Sequence, residues 1–203
     1  MRRRGALFVV SAPSGAGKTT LCREVRLRLP DLAYSVSYTT RAPRPGEKDG
    51  ADFCFVSAQE FQALRERGEF AESAQVHGNL YGTRASVLEA TLSSGQDILL
   101  DIDTQGAAQL RKRYPEAVLV FIVAPSMSEL EQRLHERRSD AEKEILRRLD
   151  RARAEIALWR SYDYLVVNRD VNDAVDHLTA IILAERSRTS RLGLTLPDLE
   201  LPS

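Results

Sequence analysis

A glycine-rich turn near the N-terminus carries the residue types that bind phosphate. It lies in SAPSGAGKTT, from Ser11 to Thr20, and matches the phosphate-binding loop pattern with alanine in the first glycine position. Gly15 and Gly17 allow backbone N–H groups to turn inward around phosphate oxygens, and the helix that follows adds its positive end. Lys18 can reach the outer phosphates of a nucleoside triphosphate, and the Thr19 hydroxyl can bind Mg²⁺. A strand is predicted before the turn and a helix after it, so we expect a triphosphate site rather than a chance turn.

Two aspartates end an apolar run later in the chain. Asp101 and Asp103 lie in DILLDID, which predicts a buried strand. Ligands of open α/β sheets bind at the carboxyl ends of the strands, where an acidic residue commonly helps to hold Mg²⁺ through water. Alternatively, one of the aspartates caps a helix that starts near Thr104.

A proline-rich loop presents two arginines. In SYTTRAPRPGEKDG, Arg41 and Arg44 lie beside Pro43 and Pro45, and proline restricts both its own backbone and that of the preceding residue. Guanidinium geometry matches phosphate two bonds at a time. The loop is therefore either an ordinary solvated turn or a preorganised site for an anion.

Apolar runs separated by helical patterns indicate the fold class. The runs are Ala6–Ala12, Asp97–Asp103, Val118–Ala124 and Asp163–Asn168, and the predicted helices after them are Lys18–Leu29, one from about Gln105, Ser126–Glu136 and Val171–Arg188. Such continuous runs are typical of a parallel sheet that is covered on both faces. The sequence therefore predicts an α/β fold with helical crossovers.

Two segments interrupt this alternation. Between Tyr34 and Gly95, the stretches YSVSY, ADFCFVS and EFAESAQVHG predict short strands of a small antiparallel insertion. From Ser128 to Arg160 the chain is helical and rich in arginine, which is usually the composition of a solvated helix face. From Leu192 onward there are two prolines and little periodicity, so a loosely held tail is expected.

Composition narrows the function classes. A chain of 203 residues with 43% hydrophobic residues suits one globular domain. Lysine plus arginine equals aspartate plus glutamate at 29 each, which does not favour nucleic acid or a membrane surface as a partner. The longest apolar run, Ala117–Pro125, is shorter than a bilayer span of about 20 residues. Cys22 and Cys54 are too few for a disulfide framework, and the histidines are scattered. We therefore expect the protein to be located in the reducing cytoplasm and to hold no structural metal.

A series of motifs resembles one enzyme family. SAPSGAGKTT, VSYTTRAPRPGEKDG, GNLYGT, LLDIDTQG, RL-HER-RSD and YLVVN occur in this order at fitting spacings, and the chain resembles a guanylate kinase from about Ala6 to Arg188. The resemblance implies transfer of the γ-phosphoryl group of ATP to GMP, with Mg²⁺ accompanying ATP. It implies an α/β phosphate-loop NTPase core with a parallel sheet flanked by helices (1–33, 98–126 and 150–191). It also implies a small mixed α/β GMP-binding insertion (34–97), a helical lid (127–149) and a flexible tail (192–203).

The resemblance assigns a role to individual residues. The implied ATP-binding residues are Ala12, Pro13, Ser14, Gly15, Ala16, Gly17, Lys18, Thr19 and Thr20. The implied GMP-binding residues are Ser37, Arg41, Arg44, Phe53, Glu72, Tyr81, Thr83 and Asp103. Phosphoryl transfer is assigned to Lys18, Arg41, Arg44, Arg133, Arg137 and Arg148, and Mg²⁺ to Thr19 and Asp101.

Guanine recognition has a chemical rationale at two of these positions. A carboxylate can accept from both N1–H and the 2-amino group of guanine, and a hydroxyl can donate to O6. The resemblance places Glu72 and Thr83 in these roles. Taken alone, Thr83 also predicts the N-cap of a helix that begins near Arg84.

The chain departs from the family pattern in four places. Phe53 stands where a tyrosine commonly bonds the GMP phosphate, which removes one hydrogen bond, and Ala12 replaces a glycine. Arg138 stands where a glycine often follows the lid arginine, so either Arg137 or Arg138 can be the residue that reaches phosphate. Arg169 stands where an aspartate is usual, and the sequence offers no account of it.

Two other functions stay open on sequence alone. A scaffold domain of guanylate-kinase shape would lack the chemistry, but Gly17, Lys18 and Thr19 are intact. A kinase of the same architecture could act on another monophosphate or a ribose bisphosphate, and only the resemblance argues against it. The expected partners are ATP and GMP, with dGMP left open and no oligomeric state predicted.

Overall fold

The fold combines a large parallel sheet with a smaller mixed sheet. The computed structural model describes residues 4–76, 78–136 and 142–191. Its elements are, in chain order, β1 (Leu7–Ser11), α1 (Lys18–Arg28), β2 (Ala33–Tyr34), β3 (Tyr38–Thr39), β4 (Cys54–Phe55), α2 (Ala58–Glu66), β5 (Phe70–Val76), β6 (Asn79–Arg84), α3 (Ala85–Ser93), β7 (Ile98–Asp101), α4 (Thr104–Arg113), β8 (Val118–Val123), α5 (Met127–Glu136), α6 (Glu142–Ile156), β9 (Tyr164–Val167) and α7 (Val171–Arg186). Arg137, Arg138 and the predicted tail 192–203 lie outside the described residues.

The large sheet has the strand order β2-β7-β1-β8-β9, and every neighbouring pair is parallel. The central strand β1 is buried along its whole length because helices cover both faces. Phe8 and Val10 pack with α1, α5, α6 and α7 on one face, and Leu7 and Val9 pack with α3 and α4 on the other. The α/β fold predicted from the apolar runs is therefore confirmed.

The small sheet has the order β4-β3-β6-β5. Its β3–β6 and β5–β6 pairs are antiparallel, but β3 and β4 pair in parallel. The small antiparallel insertion expected from the strand patterns is therefore correct for these two pairs and wrong for β3 and β4, because a long loop rather than a hairpin joins them. Phe61 of α2 stacks on Phe70 with ring centroids 4.5 Å apart, which anchors the helix to this sheet.

The predicted strand YSVSY divides between the two sheets. Ala33 and Tyr34 pair with β7 of the large sheet, and the Ser35 N–H continues the ladder to the Leu99 carbonyl at 3.1 Å. The Tyr34 ring packs on the large core and lies 4.1 Å from the Arg26 guanidinium. The expected boundary between residues 33 and 34 therefore cuts through β2, and the small sheet begins only with β3.

The two described helices of the arginine-rich segment, α5 and α6, each have an apolar side. Leu130 and Leu134 of α5 and Ile145 and Leu149 of α6 are buried in the core of the large sheet. These helices are therefore amphipathic, with their apolar stripes on the core. In the described parts of the chain, no helix is long and apolar enough to cross a membrane.

Candidate active site

The glycine-rich turn lies between β1 and α1, as the sequence predicts. Gly15 and Gly17 have φ angles of 92° and 94°, in the left-handed region that favours glycine. The Ala16 N–H donates to the Pro13 carbonyl at 3.1 Å and closes the turn. Because the N-cap residue of α1 is Gly17, no side chain caps the first N–H groups of this helix, which are the groups that bind anions at helix N-termini.

Asn168, at the end of β9, supports this turn from behind. Its Nδ2 donates to the Ala16 carbonyl at 2.8 Å in a buried hydrogen bond, and a Cβ on Gly17 would overlap the same Nδ2. The sequence analysis assigned Asn168 no role. The available signal was a polar residue that directly follows an apolar strand, a position at the ligand-binding edge of a parallel sheet.

Lys18 lies at the start of α1 and is fully engaged with the end of β7. Its Nζ donates to the Ile102 carbonyl at 2.8 Å and forms an ion pair with Asp101. Burial lowers the pKa of Lys18, but the adjacent Asp101 carboxylate more than compensates, so the pKa is raised and the lysine stays cationic.

Asp101 and Asp103 have different roles. Asp103 is the N-cap of α4, where it accepts from the Gly106 N–H at 2.8 Å. The capping alternative therefore holds for Asp103. Asp101 pairs with Lys18 instead, so it is the carboxylate that faces the start of α1.

Glu47 organises the arginine loop. Its carboxylate accepts from the Arg41 guanidinium at 2.8 and 3.0 Å and from the Arg44 backbone N–H at 2.7 Å. The Arg41 guanidinium also donates to the Ala42 carbonyl at 2.8 Å and lies 5.2 Å from the centre of the Phe53 ring. Hydrogen bonds thus hold the Arg41 side chain and the Arg44 backbone in place, while residues 42–46 are exposed to solvent. The sequence analysis missed Glu47, because it lies six positions after Arg41 in a loop with no periodic pattern.

Phe53 packs where the family pattern has a tyrosine. Its ring meets that of Tyr81 edge to face, with centroids 6.0 Å apart. Phe53 therefore lies between Arg41 and Tyr81, two residues that the resemblance assigns to the GMP phosphate.

Glu72 is a buried carboxylate on β5. It is 4% exposed, and one of its oxygens accepts from the Thr83 hydroxyl of β6 at 2.7 Å. Burial raises the pKa of Glu72, Asp103 adds to this, and the Thr83 hydrogen bond opposes it, which leaves the pKa at about 7. The predicted N-cap role of Thr83 is wrong, because the N-cap residue of α3 is Arg84 and the Thr83 hydroxyl is bonded to Glu72.

One cavity of about 420 Å³ connects the two sheets. The predicted site residues that line it are Lys18, Thr19, Ser37, Arg41, Arg44, Phe53, Glu72, Tyr81, Asp101 and Asp103. Thr83 is fully buried behind Glu72, and of the predicted ATP-binding residues only Lys18 and Thr19 reach the cavity.

Of the predicted lid arginines, the two in the described residues, Arg133 and Arg148, lie away from this cavity. Arg133 forms an ion pair with Glu129 and donates to the Asn168 carbonyl at 3.0 Å. Arg148 lines a separate cleft between α6 and the turn that joins β5 to β6, together with Arg147 and Arg151. The structure therefore does not bring these arginines together with Lys18.

The fold and this cavity define a class of protein. A parallel sheet with a glycine-rich turn after β1, a lysine at the start of α1 and a small sheet inserted before β7 form a phosphate-loop kinase that acts on a small nucleotide acceptor. The model of the guanylate kinase family matches residues 4–185. The chain is 51% identical over 198 residues to a guanylate kinase of Geobacter metallireducens, covering 98% of each chain.

Two further comparisons agree. A guanylate kinase of Syntrophotalea carbinolica is 52% identical over 192 residues, which covers 95% of this chain and 91% of the relative. The crystal structure of guanylate kinase from Anaplasma phagocytophilum superposes with a TM-score of 0.80 at 36% identity, covering 95% of this chain and 93% of that one. The chain belongs to the guanylate kinase family. Its activity is transfer of a phosphoryl group from ATP to GMP.

Proposed function

We propose that GMP binds in the 420 Å³ cavity with its base at Glu72 and its phosphate at Arg41 and Arg44. ATP binds on the glycine-rich turn, with its outer phosphates beside Lys18. The observation that carries this proposal is that Lys18, at the start of α1, and Glu72, on the small sheet, line the same cavity. An acceptor held there has its phosphate directed towards the start of α1.

Glu72 reads the base by accepting from the N1–H and 2-amino donors of guanine. Adenine offers an N1 acceptor instead and has no 2-amino group, so AMP would give the carboxylate no donor to replace the water it loses, which is costly in a buried site. The proton of the Thr83 hydroxyl is already donated to Glu72. We therefore assign Thr83 the role of orienting Glu72 rather than the role of donor to O6.

Arg41 and Arg44 hold the phosphate of GMP. A guanidinium has five N–H donors. Glu47, Ala42 and Tyr81 use only part of the set on Arg41, so donor capacity remains for phosphate. Tyr81 supplies a hydroxyl on the same side, while Phe53 contributes ring packing against Arg41 and no hydrogen bond. Ser37 completes this wall of the cavity.

Mg²⁺ fits the donors beside Lys18. Asp101 is not used as a helix cap, and the Thr19 hydroxyl lines the same cavity, so one carboxylate and one hydroxyl are available beside the phosphates. This is the sparse oxygen set that Mg²⁺ usually takes from a protein. When bound, the ion neutralises charge on the ATP phosphates.

Transfer itself needs positioning and charge neutralisation rather than a general base. The two substrates repel each other, and Lys18, Arg41 and Arg44 offset that repulsion.

Because Arg133 and Arg148 lie outside the cavity, we propose that they join it when the segment 127–149 closes as a lid. Arg137 lies outside the described residues. The core, insertion and lid stay a proposed division, and β2 supports moving the first boundary to after Ser35. A solution-scattering profile that GMP plus a non-hydrolysable ATP analogue leaves unchanged would contradict closure.

Binding measurements, rather than turnover, test the proposal that ATP binds at the Lys18 end of the cavity and that GMP binds at the end formed by Arg44 and Glu72. Isothermal titration of Lys18→Ala should show GMP binding within about threefold of the wild-type protein and ATP binding strongly weakened. Arg44→Ala should show the reverse pattern. If both variants lose the same ligand, the two ends have been assigned wrongly. ADP formation with GMP, dGMP, AMP, CMP and UMP then ranks the acceptors.

We also infer that the protein works in the cytoplasm. Its support is that both cysteines, Cys22 and Cys54, are free thiols, as is usual in a reducing compartment. Fractionation of cells that express the tagged protein tests this, and recovery outside the cytoplasmic fraction would contradict it.

A further inference from the structure

A glycine inside α4 lies directly against the Glu72 carboxylate. Gly106 is in the first turn of this helix, where its N–H bonds the Asp103 cap. A Cβ built on Gly106 would overlap one carboxylate oxygen of Glu72 and would lie 3.0 Å from the carboxyl carbon. It would also lie 3.2 Å from the Ile102 Cδ1, so the space beside Glu72 has no room for a methyl group.

The backbone does not explain this glycine. Gly106 is helical and is not among the glycines with positive φ, so alanine could adopt the same conformation. Glycine in a helix is less stable than alanine, because it loses more backbone freedom on folding. The lower helix stability of glycine at this position is explained if the space beside Glu72 must hold no side chain.

Glu72 can move away from Gly106 only towards the cavity. On its other side, the Thr83 hydroxyl holds the second carboxylate oxygen at 2.7 Å. The next residue of β5 is fixed to α4, because Gln109 accepts from the Ser73 N–H at 3.1 Å and donates to the Ser73 carbonyl at 2.8 Å. The carboxylate is therefore confined between β6 and the first turn of α4, with the cavity as its open side.

We propose that Gly106 is a specificity-determining residue, which leaves the space that holds the Glu72 carboxylate facing the guanine site. The inference rests on the proposed role of Glu72 in reading guanine. A methyl group at position 106 displaces the carboxylate from the place where it accepts from N1–H and the 2-amino group together. Gly106 acts through Glu72 and does not itself contact the base.

The test compares GMP with IMP, which keeps N1–H and O6 but lacks the 2-amino group. Gly106→Ala should lower kcat/KM for GMP by about tenfold or more, mainly through KM, and should narrow the GMP-to-IMP ratio. KM for ATP should stay within about twofold of the wild-type value. An unchanged KM for GMP in a folded Gly106→Ala protein overturns the proposal.

A shorter carboxylate provides the rescue. Glu72→Asp withdraws the carboxyl group by one methylene, which makes room for the methyl group of Gly106→Ala. The loss caused by Glu72→Asp should therefore be smaller in the Gly106→Ala background than in the wild-type background, a coupling that a double-mutant cycle measures. Additive losses contradict the proposal. If Gly106→Ala alone does not fold, the double variant should fold, and failure of both to fold is also a contradiction.

Two controls separate the possible failures. Gly82→Ala crowds the Phe61 and Phe70 rings at 3.0–3.1 Å without approaching Glu72; if it narrows the GMP-to-IMP ratio equally, the Gly106 effect is general distortion and the proposal fails. Glu72→Gln tests the underlying role. If Glu72→Gln leaves GMP efficiency unchanged, the proposed reading of guanine is wrong. If it lowers that efficiency while Gly106→Ala does not, only the role of Gly106 is wrong.

Discussion

The two ends of the cavity are built in different ways. The phosphate end is local: Gly15, Gly17 and Lys18 lie within four residues, and the backbone of the turn supplies its shape. The guanine end is assembled from distant parts of the chain, with Glu72 on β5, Thr83 on β6 and Gly106 on α4. On the proposed assignment, phosphate binding is encoded in one short stretch, whereas the choice of base depends on how two strands of the small sheet and a helix pack together.

The electrostatics of the two ends differ as well. Lys18 has a raised pKa because the Asp101 carboxylate outweighs the effect of burial, so its charge is constant at all ordinary pH values. Glu72 has a pKa of about 7 because it is buried beside Asp103. Near neutral pH, the guanine end therefore changes its charge and the phosphate end does not.

The largest effect is expected at the phosphate end. Lys18→Ala removes the cation that we propose to lie nearest the transferring phosphoryl group, and kcat should fall by about 10³-fold while the melting temperature changes little. Steady-state kinetics check this, with the exposed Lys112→Ala as the matched control. Near wild-type turnover in a folded Lys18→Ala protein would mean that Lys18 does not take part in phosphoryl transfer.

The arginine loop is the next strongest test, because it lies between the two ends. Arg41→Ala and Arg44→Ala should each raise KM for GMP by about 10–100-fold, the value of charged hydrogen bonds, and should change KM for ATP much less. Arg65→Ala, on the exposed side of α2, is the control. A larger increase in KM for ATP than in KM for GMP would contradict the proposal that these arginines bind the phosphate of GMP.

The pH dependence sharpens the electrostatic difference. Because the folded-state pKa of Glu72 is about 7, above its ordinary value of 4.5, protonation favours the folded state. The contribution of Glu72 to the free energy of unfolding therefore falls as pH rises from about 4.5 to about 7 and is constant above that. GMP needs the ionised carboxylate, so KM for GMP should be about tenfold higher at pH 6 than at pH 8.

Glu72→Gln isolates that pH effect, since the amide does not titrate. The difference in KM for GMP between pH 6 and pH 8 should shrink in this variant. Any pH dependence that remains reports titration of the phosphate group of GMP. An identical pH profile in the two proteins would show that Glu72 does not titrate in this range.

The smallest effect is expected behind the glycine-rich turn. Asn168→Ala removes the hydrogen bond to the Ala16 carbonyl, and KM for ATP should rise about fivefold, the value of one neutral hydrogen bond. KM for GMP should not follow. Asn172→Ala, exposed on α7, is the control, and equal changes for both substrates would indicate a general loss of structure.

Much of the phosphate end could be predicted from the sequence, because its chemistry is local. The pattern around Gly17 and Lys18 specifies a turn, a helix start and a cation together, and the apolar runs predict the strands before them. The sequence analysis assigned Asn168 no role, because its hydrogen bond to Ala16 joins residues 152 positions apart. Such contacts follow from the strand order, which the sequence pattern alone does not determine.

Less of the guanine end could be predicted, because burial decides it. Glu72 in isolation is an ordinary acidic strand residue, and only the resemblance to a family singled it out. The role of Thr83 depends on its pairing with Glu72 across β5 and β6, and the division of YSVSY between two sheets depends on the place of Tyr34 in the core. These are tertiary effects, which override local propensity.

The central claim is that a buried carboxylate in this cavity selects guanine. The most direct measurement is kcat/KM for GMP and for AMP in the wild-type protein and in Glu72→Gln, with the exposed Glu66→Gln as the matched control. The wild-type protein should prefer GMP by about 10⁴-fold or more, and Glu72→Gln should lose GMP efficiency sharply while Glu66→Gln keeps it. Full GMP efficiency in Glu72→Gln, or equal use of GMP and AMP by the wild-type protein, would contradict the account.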